Sequence, residues 1–143
     1  MRKTPHVLVI AAAIALLLTG RAMTLAYLGR VGDGGIGDPP LAWRLPLLGD
    51  AAIGLTAPLV AYLTVRGRSL RAWAIVVVWH AIGIWDALSA YIVHTTTPWP
   101  SFFMIKTFGA SMFFMAGAMH AVCIALVASN APTDRRVALE TAT

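Results

Sequence analysis

Residues 72–94 read AWAIVVVWHAIGIWDALSAYIVH, a stretch in which Asp86 is the single charged side chain. A helix that crosses the hydrocarbon core of a bilayer needs about 20 mostly apolar residues. The stretch has this length and contains no proline that would end a helix early. It therefore predicts a transmembrane helix.

Three further apolar runs of comparable length occur in the chain, at residues 7–28, 47–65 and 102–128. Of the 143 residues, 59% are hydrophobic and 12% are charged, and the mean hydropathy is +0.76. A soluble domain has about 25% charged residues. The composition and the four runs predict an all-α integral membrane protein. We expect one membrane domain over residues 1–143, folded as a bundle of four transmembrane helices.

The segments between the runs predict the orientation of the bundle. Residues 29–46 are rich in glycine and proline and indicate an outer loop, residues 66–71 form a short basic turn, and residues 129–143 form a tail. Basic residues concentrate on the cytoplasmic side of membrane proteins. Both termini are therefore predicted to be cytoplasmic. The basic residues on that side are Arg2, Lys3, Arg66, Arg68, Arg71, Arg135 and Arg136, against Arg30 and Arg44 on the other.

Tryptophans near the ends of the runs agree with this orientation. Trp43 and Trp99 lie where an outer interfacial belt is expected, and Trp73 lies where an inner belt is expected. A bacterial plasma membrane is the predicted location, because arginine greatly outnumbers lysine and alanine and glycine are abundant. The formal net charge of +5 does not indicate a nucleic-acid partner, since the basic residues are dispersed between apolar runs. The lipid bilayer is the expected partner, and a homo-oligomer or a larger membrane complex is left open.

The N-terminal segment has a second interpretation. Arg2 and Lys3, followed by an apolar stretch at 7–18 and small residues at 22–26, resemble the regions of a secretory signal. Cleavage would leave three transmembrane helices. Arg21 interrupts this pattern and apolar character resumes through Leu28, so an uncleaved first helix is the prediction.

Four charged residues fall inside the predicted helices: Arg21, Asp50, Asp86 and Lys106. A charge at the centre of a bilayer costs about 2.5–3.5 kcal/mol on insertion scales, so each needs a partner or a function. Their depths predict two ion pairs, Arg21 with Asp86 and Asp50 with Lys106. Together with His80 they are the candidate ligand-binding residues of a polar site in the outer half of the bundle. The alternative is that these pairs only fix the packing of the helices.

Histidine and methionine residues suggest a metal or haem site as another possibility. His80 and His94 stand on one predicted helix, and His120 stands on the next. Haem iron accepts histidine and methionine as axial ligands, which makes Met115 and Met119 candidates beside His80 and His120. Thioether and thiolate groups also suit Cu(I). The copper hypothesis takes Met112, Met115, Met119, His120 and Cys123 as its ligands.

Three functions are compatible with these patterns. The first is binding of a small molecule, a lipid-like substrate or an ion at the outer-half polar site. The second is a haem- or quinone-binding redox protein, and the third is an accessory subunit of a larger membrane complex. No phosphate loop, nucleophile elbow, HExxH motif or CxxC pair occurs in the chain. The sequence therefore does not decide whether the protein is an enzyme, and it does not identify a cofactor.

Overall fold

A computed structural model describes residues 5–67 and 69–130, and this part of the chain is helical with no strand. Arg2, Lys3, Arg68, Arg135 and Arg136, on which the predicted orientation depends in part, lie outside the described residues. The elements in chain order are α1 (His6–Leu17), a 3-10 segment (Leu18–Thr24), α2 (Leu25–Leu28), a 3-10 turn (Leu41–Trp43), α3 (Arg44–Arg66), α4 (Leu70–Thr96), α5 (Phe103–Phe108) and α6 (Ser111–Ala128).

Four helical stretches are long and apolar enough to cross a membrane, as predicted. They are the first span (His6–Leu28), the second span (Leu41–Arg66), the third span (Leu70–Thr96) and the fourth span (Ser111–Ala128). Large apolar side chains on their outer faces are exposed, for example Leu17 at 71% and Trp85 at 72%. Such a surface is unfavourable in water and suits lipid tails. The fold is therefore compatible with a small membrane protein.

Two apolar layers hold the ends of the bundle together. At the end that carries residues 5 and 130, Leu8, Val60, Trp73 and Val127 are part of one buried cluster. At the opposite end, which we name the cap end, a second buried cluster includes Trp43, Trp99, Phe102 and Phe113. In each span, one or two charged or histidine residues stand between residues of these two clusters; they are Arg21, Asp50, His80, Asp86 and His120.

The tryptophans of the cap end differ from the prediction. Trp43 and Trp99 are 3% and 2% exposed, so neither forms an interfacial belt. The Trp43 indole donates a hydrogen bond to the Thr97 carbonyl at 2.8 Å, and the Trp99 indole donates to the Gly37 carbonyl at 3.0 Å. Because a buried indole N–H needs an acceptor, each tryptophan fastens a connecting segment over the bundle. These residues close the cap end.

The fourth predicted helix is interrupted. The prediction was one helix over 102–128, whereas α5 ends at Phe108 and α6 begins at Ser111. Gly109 between them has φ 56° and ψ −149°, a conformation that is almost restricted to glycine. The break turns α5 away from the axis of the fourth span. Hydropathy does not reveal it, because apolar residues flank the glycine on both sides.

We expect Gly109→Ala to lower the free energy of unfolding by about 1–3 kcal/mol, since an L-residue is strained at this φ and ψ. The strain is purely conformational, because a Cβ at Gly109 would meet no atom within 4 Å. Thermal denaturation of the purified protein in mild detergent measures the effect. Gly117→Ala is the control: Gly117 lies within α6 with equally open space, so alanine should be neutral or slightly stabilising there. Equal melting temperatures for the two variants would contradict the assignment of strain to Gly109.

Candidate functional site

Arg21 joins all four spans. It lies in the 3-10 segment of the first span, and its side chain is 14% exposed. Its Nε donates a hydrogen bond to Asp50 on the second span, and its Nη2 donates to Asp86 on the third span at 2.5 Å. Its Nη1 donates to Nε2 of His120 on the fourth span at 3.2 Å. One guanidinium group therefore holds a partner from each of the other three spans.

His120 continues this network to His80. The Nδ1 atoms of the two rings are 2.9 Å apart, and both residues are 0% exposed. Arginine has no acceptor, so Nε2 of His120 must accept the hydrogen bond from Arg21. The proton of His120 is then on Nδ1 and is donated to Nδ1 of His80. Both histidines are therefore neutral, and the proton of His80 is on Nε2.

These five residues, Arg21, Asp50, Asp86, His80 and His120, are named the ion cluster below. Nε2 of His80 is buried, and it has no hydrogen-bond partner within residues 5–67 and 69–130. The chain of hydrogen bonds that runs from Arg21 through His120 to His80 therefore ends at this atom.

Three glycines make room for the ion cluster. A Cβ added at Gly49 would overlap the Asp86 carboxylate, and one added at Gly83 would overlap the His120 ring. A Cβ at Gly54 would overlap the backbone of the first span at residues 21–22. Glycine allows the backbone to approach these groups closely. Sequence reasoning missed Gly49, although its position directly before the intramembrane Asp50 was an available signal.

Thr24 is a second residue that the sequence did not indicate. Its hydroxyl donates a hydrogen bond to the Leu47 carbonyl at 3.1 Å, and the Arg21 carbonyl lies at 2.8 Å from the same oxygen. Thr24 is buried, so this contact connects the first and second spans one turn from Arg21. It helps to fix the 3-10 segment that positions the guanidinium group.

A groove of about 340 Å³ opens beside the ion cluster, between the first span and the α5–α6 segment. Its walls are almost entirely apolar, and Arg21 and Asp50 are the ionisable residues among those that line it. Lining residues near the surface, such as Leu17 and Met115, are 71% and 55% exposed. The groove therefore opens sideways, onto the surface that suits lipid. Five methionines contribute to its walls: Met23, Met104, Met112, Met115 and Met119.

Lys106 does not pair with Asp50, contrary to the prediction. Lys106 lies on α5 and is exposed, and it forms no ion pair with any residue of the described ranges. The break at Gly109 is the reason, because the predicted depth of Lys106 assumed one continuous helix over 102–128, whereas Lys106 lies on α5, before the break. Asp50 instead shares Arg21 with Asp86. The predicted pair of Arg21 with Asp86 is present.

His80 and His120 are too close together to bind one metal ion from opposite sides. Two nitrogens on opposite sides of one metal ion lie about 4 Å apart, given a metal–nitrogen distance of about 2 Å, whereas the two Nδ1 atoms are 2.9 Å apart and bonded to each other. Met115 is exposed, and Cys123 contacts the Ala11 carbonyl at 3.7 Å. In the part of the chain that the structure describes, no three His, Cys, Asp or Glu side chains gather as a metal site.

Comparisons with protein-family models, with curated proteins and with solved structures found no match to the chain.

Proposed function

We propose that the protein binds an amphipathic, lipid-like small molecule inside its helical bundle, with the apolar body in the groove and the polar end at Arg21 and Asp50. One observation supports this function above the others: an apolar groove ends at a charged, partly exposed pair of side chains. Small-molecule sites have this character, with mostly apolar walls and a few convergent polar groups that set orientation. The volume of about 340 Å³ lies at the small end of such sites.

The route of entry also favours a lipid-like molecule. Buried aromatic residues close the cap end, so the groove is reached from the side. A molecule dissolved in the bilayer can enter by this route without crossing water. In this proposal the protein is a carrier, a receptor or an enzyme for such a molecule, in the membrane of a bacterial cell, with the site in the outer half.

Native mass spectrometry of the protein released in mild detergent tests the proposal. We expect a bound molecule in a fixed ratio on the wild-type protein. Ala116→Phe should remove it, because Ala116 lines the groove. The control is Ala118→Phe, which adds the same ring at an exposed position of the same helix and should leave the molecule in place.

Four other outcomes would contradict the proposal. A wild-type spectrum that shows only the mass of the protein itself would mean that no molecule is bound. A second polypeptide in a fixed ratio would favour the accessory-subunit alternative, and a haem or quinone mass that persists in Ala116→Phe would favour a redox site elsewhere. Loss of the bound molecule from both Ala116→Phe and Ala118→Phe would indicate general disruption of the helix and not a specific site.

A further inference from the structure

We propose that the polar end of the ligand is a cation, such as an ammonium group, and that the Asp50 carboxylate binds it. This inference rests on the proposed function and narrows it to one class of ligand. It follows from the charges of the ion cluster, from the position of Asp50 on the wall of the groove and from the other residues that line the groove.

The charges of the ion cluster do not balance. Arg21 contributes one positive charge, and Asp50 and Asp86 each contribute one negative charge when both carboxyl groups are ionised. The hydrogen bonds of His120 and His80 require both rings to be neutral. The formal charge is therefore −1. Lys106 does not compensate it, since Lys106 is exposed on α5 and forms no ion pair with Asp50 or Asp86.

A cation in the groove would restore neutrality. An uncompensated charge is costly inside an apolar medium, so a positively charged ligand is favoured there. An anionic head group is disfavoured for the same reason, because it would raise the negative charge to two. Three of the five N–H donors of Arg21 are already used within the ion cluster, which weakens its attraction for such an anion.

Asp50 presents the atom that a cation needs. Arg21 contacts the Asp50 carboxylate through Oδ1. The side chain is 18% exposed and lines the groove. Asp86 is 8% exposed and is not among the lining residues. A ligand in the groove therefore reaches Asp50 first, and a bond from an ammonium group to the Asp50 carboxylate is charge-assisted.

The five methionines extend the inference to the apolar body. Methionine is flexible and polarisable, and surfaces rich in it adapt to differently shaped partners. The groove should therefore select the charge of the head group more strictly than the shape of the apolar body.

Three probes with the same decyl chain test the charge of the head group: decylammonium, decanol and decanoate. Their binding is measured as the rise in melting temperature of the protein in phosphatidylcholine nanodiscs, with empty nanodiscs as the correction for partition into lipid. We expect decylammonium to bind about tenfold more tightly than decanol, because a charge-assisted bond replaces a neutral one. Decanoate should bind the least.

Asp50 variants assign this preference to one residue. Asp50→Asn should abolish the preference for decylammonium over decanol, and Asp50→Glu should retain most of it. Asp33→Asn is the matched control, since it removes a carboxylate from an exposed loop position and should leave the preference unchanged. The wild-type series is informative even if Asp50→Asn does not fold.

Each remaining outcome decides against one of the two ideas. If the three probes bind equally, or decanoate binds best, the cation inference is wrong while the groove remains a site for amphipathic molecules. If none of the probes binds and no molecule co-purifies, the proposed function itself fails. Retention of the full preference in a folded Asp50→Asn variant would remove Asp50 from the proposal.

Discussion

Arg21→Met should destabilise the protein by about 3–5 kcal/mol, because it leaves buried charges without their partner. Asp50 and Asp86 would both lose the guanidinium, and His120 would lose its donor. Chemical denaturation followed by tryptophan fluorescence measures the loss. The control is Arg30→Met, which removes a guanidinium group that is 55% exposed from its ion pair with Asp38 and should cost less, about 1 kcal/mol.

Two further variants distinguish compensation of charge from simple loss of packing. Asp50→Asn and Asp86→Asn, added to Arg21→Met, should recover part of the lost stability because no ionised carboxylate then remains uncompensated. Arg21→Lys should recover less than wild-type stability, since an ammonium group lacks the planar set of donors that reaches three partners. If the triple variant is as unstable as Arg21→Met alone, Arg21 acts through packing and not through its charge.

Gly54→Ala is expected to have the second largest effect. The added Cβ would overlap backbone atoms of residues 21–22, and backbone cannot rotate away as a side chain can. The first span must then move from the second span, which carries Arg21 away from Asp50. Overpacking of this kind costs about 1–3 kcal/mol, and we expect a value at the upper end. The midpoint of chemical denaturation measures it.

Gly20→Ala is the control for Gly54→Ala. Gly20 lies on the first span close to Arg21, yet a Cβ at this position meets no atom within 4 Å. The stability of the Gly20→Ala variant should stay near that of the wild-type protein. If Gly20→Ala and Gly54→Ala lower the stability equally, the claim that Gly54 allows close contact of the first and second spans is wrong.

The four spans could be predicted from the sequence because transfer of apolar side chains into lipid is a local property of each segment. The break at Gly109 depends on a backbone angle, and a glycine within an apolar run does not reveal it. The prediction that Trp43 and Trp99 form an interfacial belt was also wrong, since both residues are buried. Amphipathic rings near the end of a helix suit an interface, and only the fold of the connecting segments shows that they are buried.

The candidate site was predicted in part. Depth along the spans placed Arg21 beside Asp86, and this pair is present. Depth alone could not exclude Lys106 as the partner of Asp50, and it did not show that one guanidinium group reaches both carboxylates. His120 was considered as a metal ligand, whereas it accepts a hydrogen bond from Arg21. The groove could not be predicted, because it results from the separation of two spans that are distant in sequence.

The 3-10 segment of the first span changes how the bundle matches the thickness of a bilayer. Its seven residues rise by about 2.0 Å each and not by about 1.5 Å, which lengthens the first span by about 3.5 Å. The fourth span has 18 residues and is about 27 Å long, slightly less than a hydrocarbon core of about 30 Å. A long and a short helix therefore flank the mouth of the groove. Lipid would have to thin beside the fourth span and thicken beside the first, so the bilayer would be most deformed where a ligand enters.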